Sequence, residues 1–327
     1  LRLLAGACPE GAEAKGKATW KGRRVYAVDG QKVNLRRSTD LSRHFGTPKN
    51  ANNPQALYSV LVDVCARTPV DFQLSAYDSS ERVHLASMLD SLDAGDLLIL
   101  DRGYPSHAVL QDLTKRGIDF LIRVPASESF AAIDGFRDSG QVDEVVNLKL
   151  RWDAPEEWDA LDVRLVRIEG PQGPAFYFTS LDAKEASRAD IADLYKQRWD
   201  VEEYFKVFTG EYVGQRQFRS TMPSGIRQEF GALTLLYAMS RIVAAKANKG
   251  IDEEEVQGED RVAYVSQKAA VLGMGVLFMK VALAPSAPAA LKYIERVMLR
   301  LLLTLDKPRP GRSHPRRSFK PRPKWGP

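Results

Sequence analysis

The chain has 327 residues, 44% hydrophobic and 27% charged, enough apolar material for a large buried core beneath an ordinary charged surface. No apolar run approaches the length of a membrane span, and the two cysteines, Cys8 and Cys65, supply neither a disulfide framework nor a paired zinc spacing; the expectation is a protein of a reducing cytoplasm with no membrane partner. The net charge of +5 is unevenly placed: residues 307–327 carry eight Lys or Arg and no acid, leaving 39 bases against 42 acids elsewhere.

The chain opens on Leu1, with neither methionine nor signal peptide, which suggests a fragment. The first expected strand spans 24–34. It contains the apolar run Val25-Tyr26-Ala27-Val28, and Asp29-Gly30 follows as a turn signal before a hairpin continuation. Residues 55–66 and 70–77 are β-rich and separated by Arg67-Thr68-Pro69, which suggests antiparallel pairing. A helix is expected over 81–92, then a buried strand, Leu97-Leu98-Ile99-Leu100, ending at Asp101-Arg102-Gly103-Tyr104. A helix over 106–116 and a strand over 120–124 follow. This order is α/β, and it matches a ribonuclease-H-like mixed sheet better than a doubly wound nucleotide fold; the chain contains no phosphate-cradling glycine loop.

From 125 to 182 the texture changes. Strand-like runs at 142–152, 161–169 and 175–179, with turns at Gly170-Pro171 and Gly173-Pro174, predict a β-rich insertion. Residues 189–208 read as one helix, because Leu194, Val201, Phe205 and Phe208 recur at helical spacing. Further helices are expected over 226–248, 261–283 and 289–306, giving a helical C-terminal region. The acidic run Asp252-Glu253-Glu254-Glu255, with Glu259 and Asp260, is expected to form an outward loop. The proline-rich basic tail should be extended, either lying along a polyanion or simply solvated. The expected division is a first part of the core (1–124), the insertion (125–182), a second part of the core (183–248), the helical region (249–306) and the tail.

Two strands that each deliver an aspartate to the rim of one sheet bring two carboxylates within reach of one divalent ion, and Glu202 is the best candidate for a third. At the pitch of a helix, Tyr195, Arg198, Glu202 and Lys206 fall in a stripe about 80° wide at the border of the apolar face. Two aspartates and a glutamate suit two Mg²⁺ or Mn²⁺ ions, a pair that promotes phosphoryl transfer. On the residues alone an ordinary reading stays open: Asp-Gly is a common turn pair, and Arg198 with Glu202 is a familiar solvated i, i+4 pair.

The run from Tyr195 to Lys206, YKQRWDVEEYFK, closely resembles the signature of bacterial DDE transposases of the insertion sequence four group, in which Tyr, Arg, Glu and Lys recur at fixed spacing. Val28-Asp29-Gly30 and Leu100-Asp101-Arg102-Gly103-Tyr104 resemble that family's two aspartate motifs, in the right order, and the likeness extends over about 20–241. It implies that Asp29, Asp101 and Glu202 are the catalytic metal ligands and that Tyr195 and Arg198 hold phosphates of the cleaved DNA end. The family's later lysine corresponds to Thr209, and Lys206 takes the nearer lysine position. Only 28 residues precede Asp29, where family members carry a longer end-recognising region.

The expected activity is therefore metal-dependent cleavage at transposon ends and strand transfer into target DNA, by a protein that is a homodimer in its DNA complex. The alternatives are an inactive transposase-derived DNA-binding protein and a metal nuclease without strand transfer. Arg216 and Arg219, in the run after the signature helix, either touch backbone phosphate or belong to a solvated loop. Trp152 and Trp158 either stack on a flipped base or pack. Trp199 is expected to pack, and the four histidines show no ligand spacing.

Overall fold

The fold is that of a computed structural model, which describes residues 19–125, 130–149, 154–156, 158–170, 173–208, 218–254 and 264–306. Trp152, Thr209, Arg216, the residues between 255 and 263 and the basic tail lie outside the described residues.

Within the described residues, strands β1 (Val25–Asn34), β2 (Gln55–Asp63), β3 (Thr68–Ala76), β4 (Leu97–Leu100), β5 (Asp119–Val124), β6 (Asp143–Leu148), β7 (Leu161–Gly170) and β8 (Gly173–Thr179) form one sheet in the order β3-β2-β1-β4-β5-β8-β7-β6. The β1-β2-β3 meander is antiparallel, whereas β1, β4 and β5 run parallel. This is the mixed, ribonuclease-H-like arrangement that the element order predicts. The β-rich residues of 125–182 extend the same sheet, since β8 pairs antiparallel with β5.

Strand alternation divides the core into two layers. Val25, Ala27, Leu97 and Ile99 face a cluster covered by helices α1 (Thr39–Phe45), α5 (Arg188–Lys196), α6 (Trp199–Val207) and α7 (Pro223–Glu254). Tyr26, Val28, Leu98 and Leu100 face the other side, covered by α2 (Glu81–Met88), α3 (His107–Lys115) and α4 (Ala131–Ser139). The central strands β1 and β4 are therefore buried on both faces, which explains why they read as unbroken apolar runs. Helices α8 (Gln267–Ala282) and α9 (Ala287–Leu301) pack with the end of α7 around Ala244, Ala270 and Leu301.

Several expectations need correction. Asp29-Gly30 is not a turn: both residues lie inside β1, paired with Val60 and Ser59 of β2. The expected helix over 189–208 is two helices, because the bonds from Gln197, Arg198, Asp200 and Val201 all reach back three residues, to Leu194, Tyr195, Gln197 and Arg198, forming a tighter turn between α5 and α6. Helices α1 and α4 were not expected. The expected helix over 261–283 begins instead with the short strand β9 (Tyr264–Val265), which pairs with β10 (Leu305–Asp306), so the last expected helix stops at Leu301. Asp252 to Glu254 belong to the end of α7 rather than to a loop.

One stretch of α7, Pro223–Ala247, is long and apolar enough to cross a membrane by length and composition. Arg227, Glu229 and Arg241 interrupt it, so no unbroken apolar run marks it in the sequence. In the structure Ile226, Phe230 and Ala238 of this helix are fully buried against the protein.

Candidate active site

The site is built at the rim where β1 and β4 end their parallel pairing. Val25, Tyr26 and Ala27 lie opposite Leu97, Leu98 and Ile99, and Asp29 and Asp101 each follow two residues after the last of these pairs. The two acids are close enough for the charge of Asp101 to act on Asp29. Asp29 is half-buried, and its Oδ1 accepts from the Gly30 N–H at 2.9 Å. Burial pushes its carboxyl up to about 6; the Gly30 N–H opposes that shift, the charge of Asp101 adds to it and Arg198 counters it. Asp101 follows β4 directly, and its Oδ1 accepts from the Gly103 N–H at 2.7 Å. Gly103 has a steric role, because a Cβ there would stand 3.1 Å from Asp101 Oδ1.

The third acid comes from α6. Glu202 Oε1 accepts from Arg198 Nη2 at 2.5 Å, and Arg198 Nη1 stands 3.8 Å from Asp29 Oδ2. A single guanidinium thus gathers Asp29 and Glu202 from distant parts of the chain. Burial works against the charge of Arg198, but Tyr195, Glu202 and Asp29 together outweigh it and raise its pKa. The Arg198 guanidinium lies 5.8 Å from the ring centre of Tyr195, whose hydroxyl burial pushes up to about 12. Tyr195 also feels the charge of Asp101 and packs edge-on against Tyr177 at 4.8 Å.

Buried hydroxyls behind the site fix the helix that carries Glu202. Tyr204 of α6 shares a 2.5 Å hydrogen bond with Tyr58 of β2, and Tyr58 a 2.8 Å bond with Thr234 of α7. On the outer side, Asp200 pairs with Arg67 at the β2–β3 turn, 3.1 Å apart.

Comparison with known proteins gives this geometry a family. The sequence matches the family described as the transposase DDE domain over residues 20–239. The chain belongs to the DDE transposase family. No curated protein matches it. Among solved structures, a piggyBac transposase synaptic complex with hairpin DNA is similar at 11% identity and a TM-score of 0.45, over 89% of this chain and 59% of that one. Endonuclease V of Ciona intestinalis, in complex with a DNA containing an inosine followed by a ribo-adenosine, is similar at 13% identity and a TM-score of 0.26, over 63% of this chain and 95% of that one. Likenesses this remote leave the fold to the strand order itself.

This transposase domain brings together five of the residues singled out in the sequence: Asp29, Asp101, Glu202, Tyr195 and Arg198. Lys206 stands apart. It is exposed, its ammonium pairs with Glu203, and it lies 4.7 Å over the ring of Trp199, itself exposed rather than packed. Arg219 is exposed before α7, where its N–H donates to Glu229 Oε2 at 3.0 Å. Trp158 is half-buried in the 158–160 segment.

Sequence reading missed Glu81, Tyr104 and Arg123. Glu81 and Tyr104 interact electrostatically with Asp101, and Arg123 of β5 with Tyr177 and Tyr195. The available signal was position: Arg123 is the exposed residue of a strand adjoining β4, and Tyr104 belongs to the second aspartate motif.

Among the described residues no group of three or more His, Cys, Asp or Glu side chains is arranged to hold a metal ion. Glu202 is engaged by Arg198 instead. The donor chemistry nevertheless fits a hard divalent cation, since Asp29 and Asp101 are oxygen ligands whose mutual repulsion is only partly offset by one arginine.

Proposed function

We propose that this chain is the catalytic core of a DNA transposase of the insertion sequence four group, cleaving at transposon ends and joining the freed end to target DNA. The observation that carries this reading is the sharing of Arg198 by Asp29 and Glu202, with the charge of Asp101 acting on Asp29. Asp29, Asp101 and Glu202 would hold Mg²⁺ or Mn²⁺, two ions by the family resemblance. When bound, such ions activate the attacking oxygen and stabilise the leaving oxygen of a phosphodiester.

The protein's own groups have separable tasks. Arg198 keeps the acids paired before cation and DNA arrive, and its guanidinium would turn to a phosphate once the cation takes over the acids. Tyr195 supplies a hydroxyl held protonated by burial, so it donates to a phosphate oxygen across the working pH range. The aromatic and aliphatic packing behind α6 keeps Glu202 at the border of the core. Lys206 and Arg219 would contact the DNA backbone further out, and Arg216 with them, from outside the described residues. The partners are transposon-end DNA, target DNA and a second protomer.

Incubating the protein with cognate end DNA and Mg²⁺ or Mn²⁺ tests this. Nicking followed by joining is expected, and Asp29→Asn, Asp101→Asn and Glu202→Gln should each abolish both while sparing most DNA binding. Cleavage retained in one variant removes that residue from the site. Nicking without joining identifies a nuclease, and binding alone an inactive descendant.

A further inference from the structure

Gly30 is a glycine inside a strand with no left-handed backbone to require one. Space requires it. A Cβ at residue 30 would lie 2.7 Å from Cδ and 2.8 Å from Oε1 of Glu81, so the absence of a side chain lets that carboxylate cross the edge of β1 beside Asp29. Glu81 opens α2 on the opposite face of the sheet from α6. A first-turn acid is favourable at a helix N-terminus, but the helix dipole does not require it to lean over the neighbouring strand. Glu81 and Asp101 repel one another, and both act on Asp29.

A second observation points into the same place. The Tyr104 hydroxyl is fully buried, interacts with the Glu81 carboxylate, and lies within the fields of Asp29 and Asp101 as well. A buried hydroxyl needs a partner, and here that partner is the same carboxylate that crosses Gly30. Arg82, next to Glu81, donates from Nε to the Gly103 carbonyl at 3.0 Å, tying the start of α2 to the turn that bears Asp101.

We propose that Glu81 is a fourth acid of the divalent-cation site, reaching over Gly30 to stand beside Asp29 and Asp101, with the Tyr104 hydroxyl holding its carboxylate there. This rests on the reading of Asp29, Asp101 and Glu202 as cation ligands. Neither the sequence motifs nor the family match assigns Glu81 a role. Its position explains why the residue after the first aspartate is glycine although no turn is made there.

The test is Mn²⁺ binding to the full chain without DNA, followed by calorimetry, with thermal melts as a check on folding. Glu81→Gln is expected to weaken Mn²⁺ binding roughly tenfold or more, the scale of loss when an outer-shell partner is removed. Gly30→Ala keeps every acid and pushes only the flexible end of Glu81 aside, so it should show a similar loss. Asp29→Asn reports on the underlying site and should bind least. If Asp29→Asn loses Mn²⁺ while Glu81→Gln and Gly30→Ala bind as the parent does, Glu81 is not part of the site and the three-acid reading survives. If Asp29→Asn binds as the parent does, the three-acid reading fails and this proposal falls with it.

Discussion

Asp29 and Glu202 are held to one cation: Arg198 donates to Glu202 at 2.5 Å and stands 3.8 Å from Asp29. If these acids take a divalent ion, as the proposed function has it, the guanidinium between them is a temporary counter-charge. Replacing Arg198 by Ala therefore leaves two half-buried carboxylates without it, and removing one partner of a buried pair costs up to about 3–5 kcal/mol, less here because the site is partly open. The expected loss in metal-free buffer at pH 7.5 is about 1–3 kcal/mol. Added Mn²⁺ should restore part of it, because the dication replaces the missing charge. Denaturant melts with and without Mn²⁺ check both statements; a loss that Mn²⁺ leaves unchanged contradicts the counter-charge role.

The elevated Asp29 carboxyl makes a prediction of opposite sign. Its pKa is about 6 in the folded chain, against an ordinary value of 3.8. The folded state therefore holds the proton more tightly than the unfolded state. The associated stability is fully present below pH 3.8 and is lost as pH rises through 6. At about 1.4 kcal/mol per pKa unit, ionised Asp29 weakens the fold by about 2–3 kcal/mol at neutral pH. Asp29→Asn should then melt higher than the parent at pH 7.5 without metal, with the gap closing near pH 4, although the proposed function has it lose cleavage. Equal stability at both pH values would show that burial does not strain this carboxylate.

Much of this site was legible in the sequence because its strands are simple. A strand buried on both faces has no choice but an unbroken apolar run, so Val25–Val28 and Leu97–Leu100 announced both the sheet and the acids at its rim. The interruption between α5 and α6 was not legible, because residues 194–201 are all compatible with a continuous helix and the break lies only in which carbonyl each N–H reaches. Gly30 misled for a physical reason: Asp-Gly is a turn signal in local chemistry, whereas here the missing side chain admits Glu81 from fifty residues away. Lys206 shows the limit of helical-wheel arithmetic. The angle placed it near Glu202, yet Glu203 and Trp199 on its own helix hold it outside.

Gly103 offers a test of how finely Asp101 is held. Its N–H fixes Asp101 Oδ1 at 2.7 Å, and a methyl group at residue 103 would press on the same oxygen at 3.1 Å. Gly103→Ala should therefore fold normally while its carboxylate shifts by a few tenths of an ångström. A full ångström of misplacement costs about a hundredfold in rate, so a loss of roughly tenfold in cleavage is expected. Single-turnover cleavage at saturating Mg²⁺ measures it. Unchanged cleavage would mean that the Asp101 position tolerates the shift.

The hydroxyl chain Tyr204–Tyr58–Thr234 joins α6, β2 and α7 inside the core, where none of the three is exposed to solvent. Tyr58→Phe takes the Tyr58 partner from the Tyr204 hydroxyl, and Tyr204→Phe leaves Tyr58 with Thr234 alone. A buried group left unmatched costs about 1–3 kcal/mol, whereas removing both partners of a bond costs less than the sum of the two single losses. The double variant Tyr58→Phe/Tyr204→Phe is therefore expected to be about as stable as the worse single variant. Urea melts of the four proteins in the cycle measure this, and strict additivity would indicate that the two hydroxyls do not act as a pair. Since α6 carries Glu202, the single variants should also cleave more slowly than their residual folded fraction accounts for. Tyr204→Phe should be the more affected, because it loosens the helix itself rather than the strand beneath it.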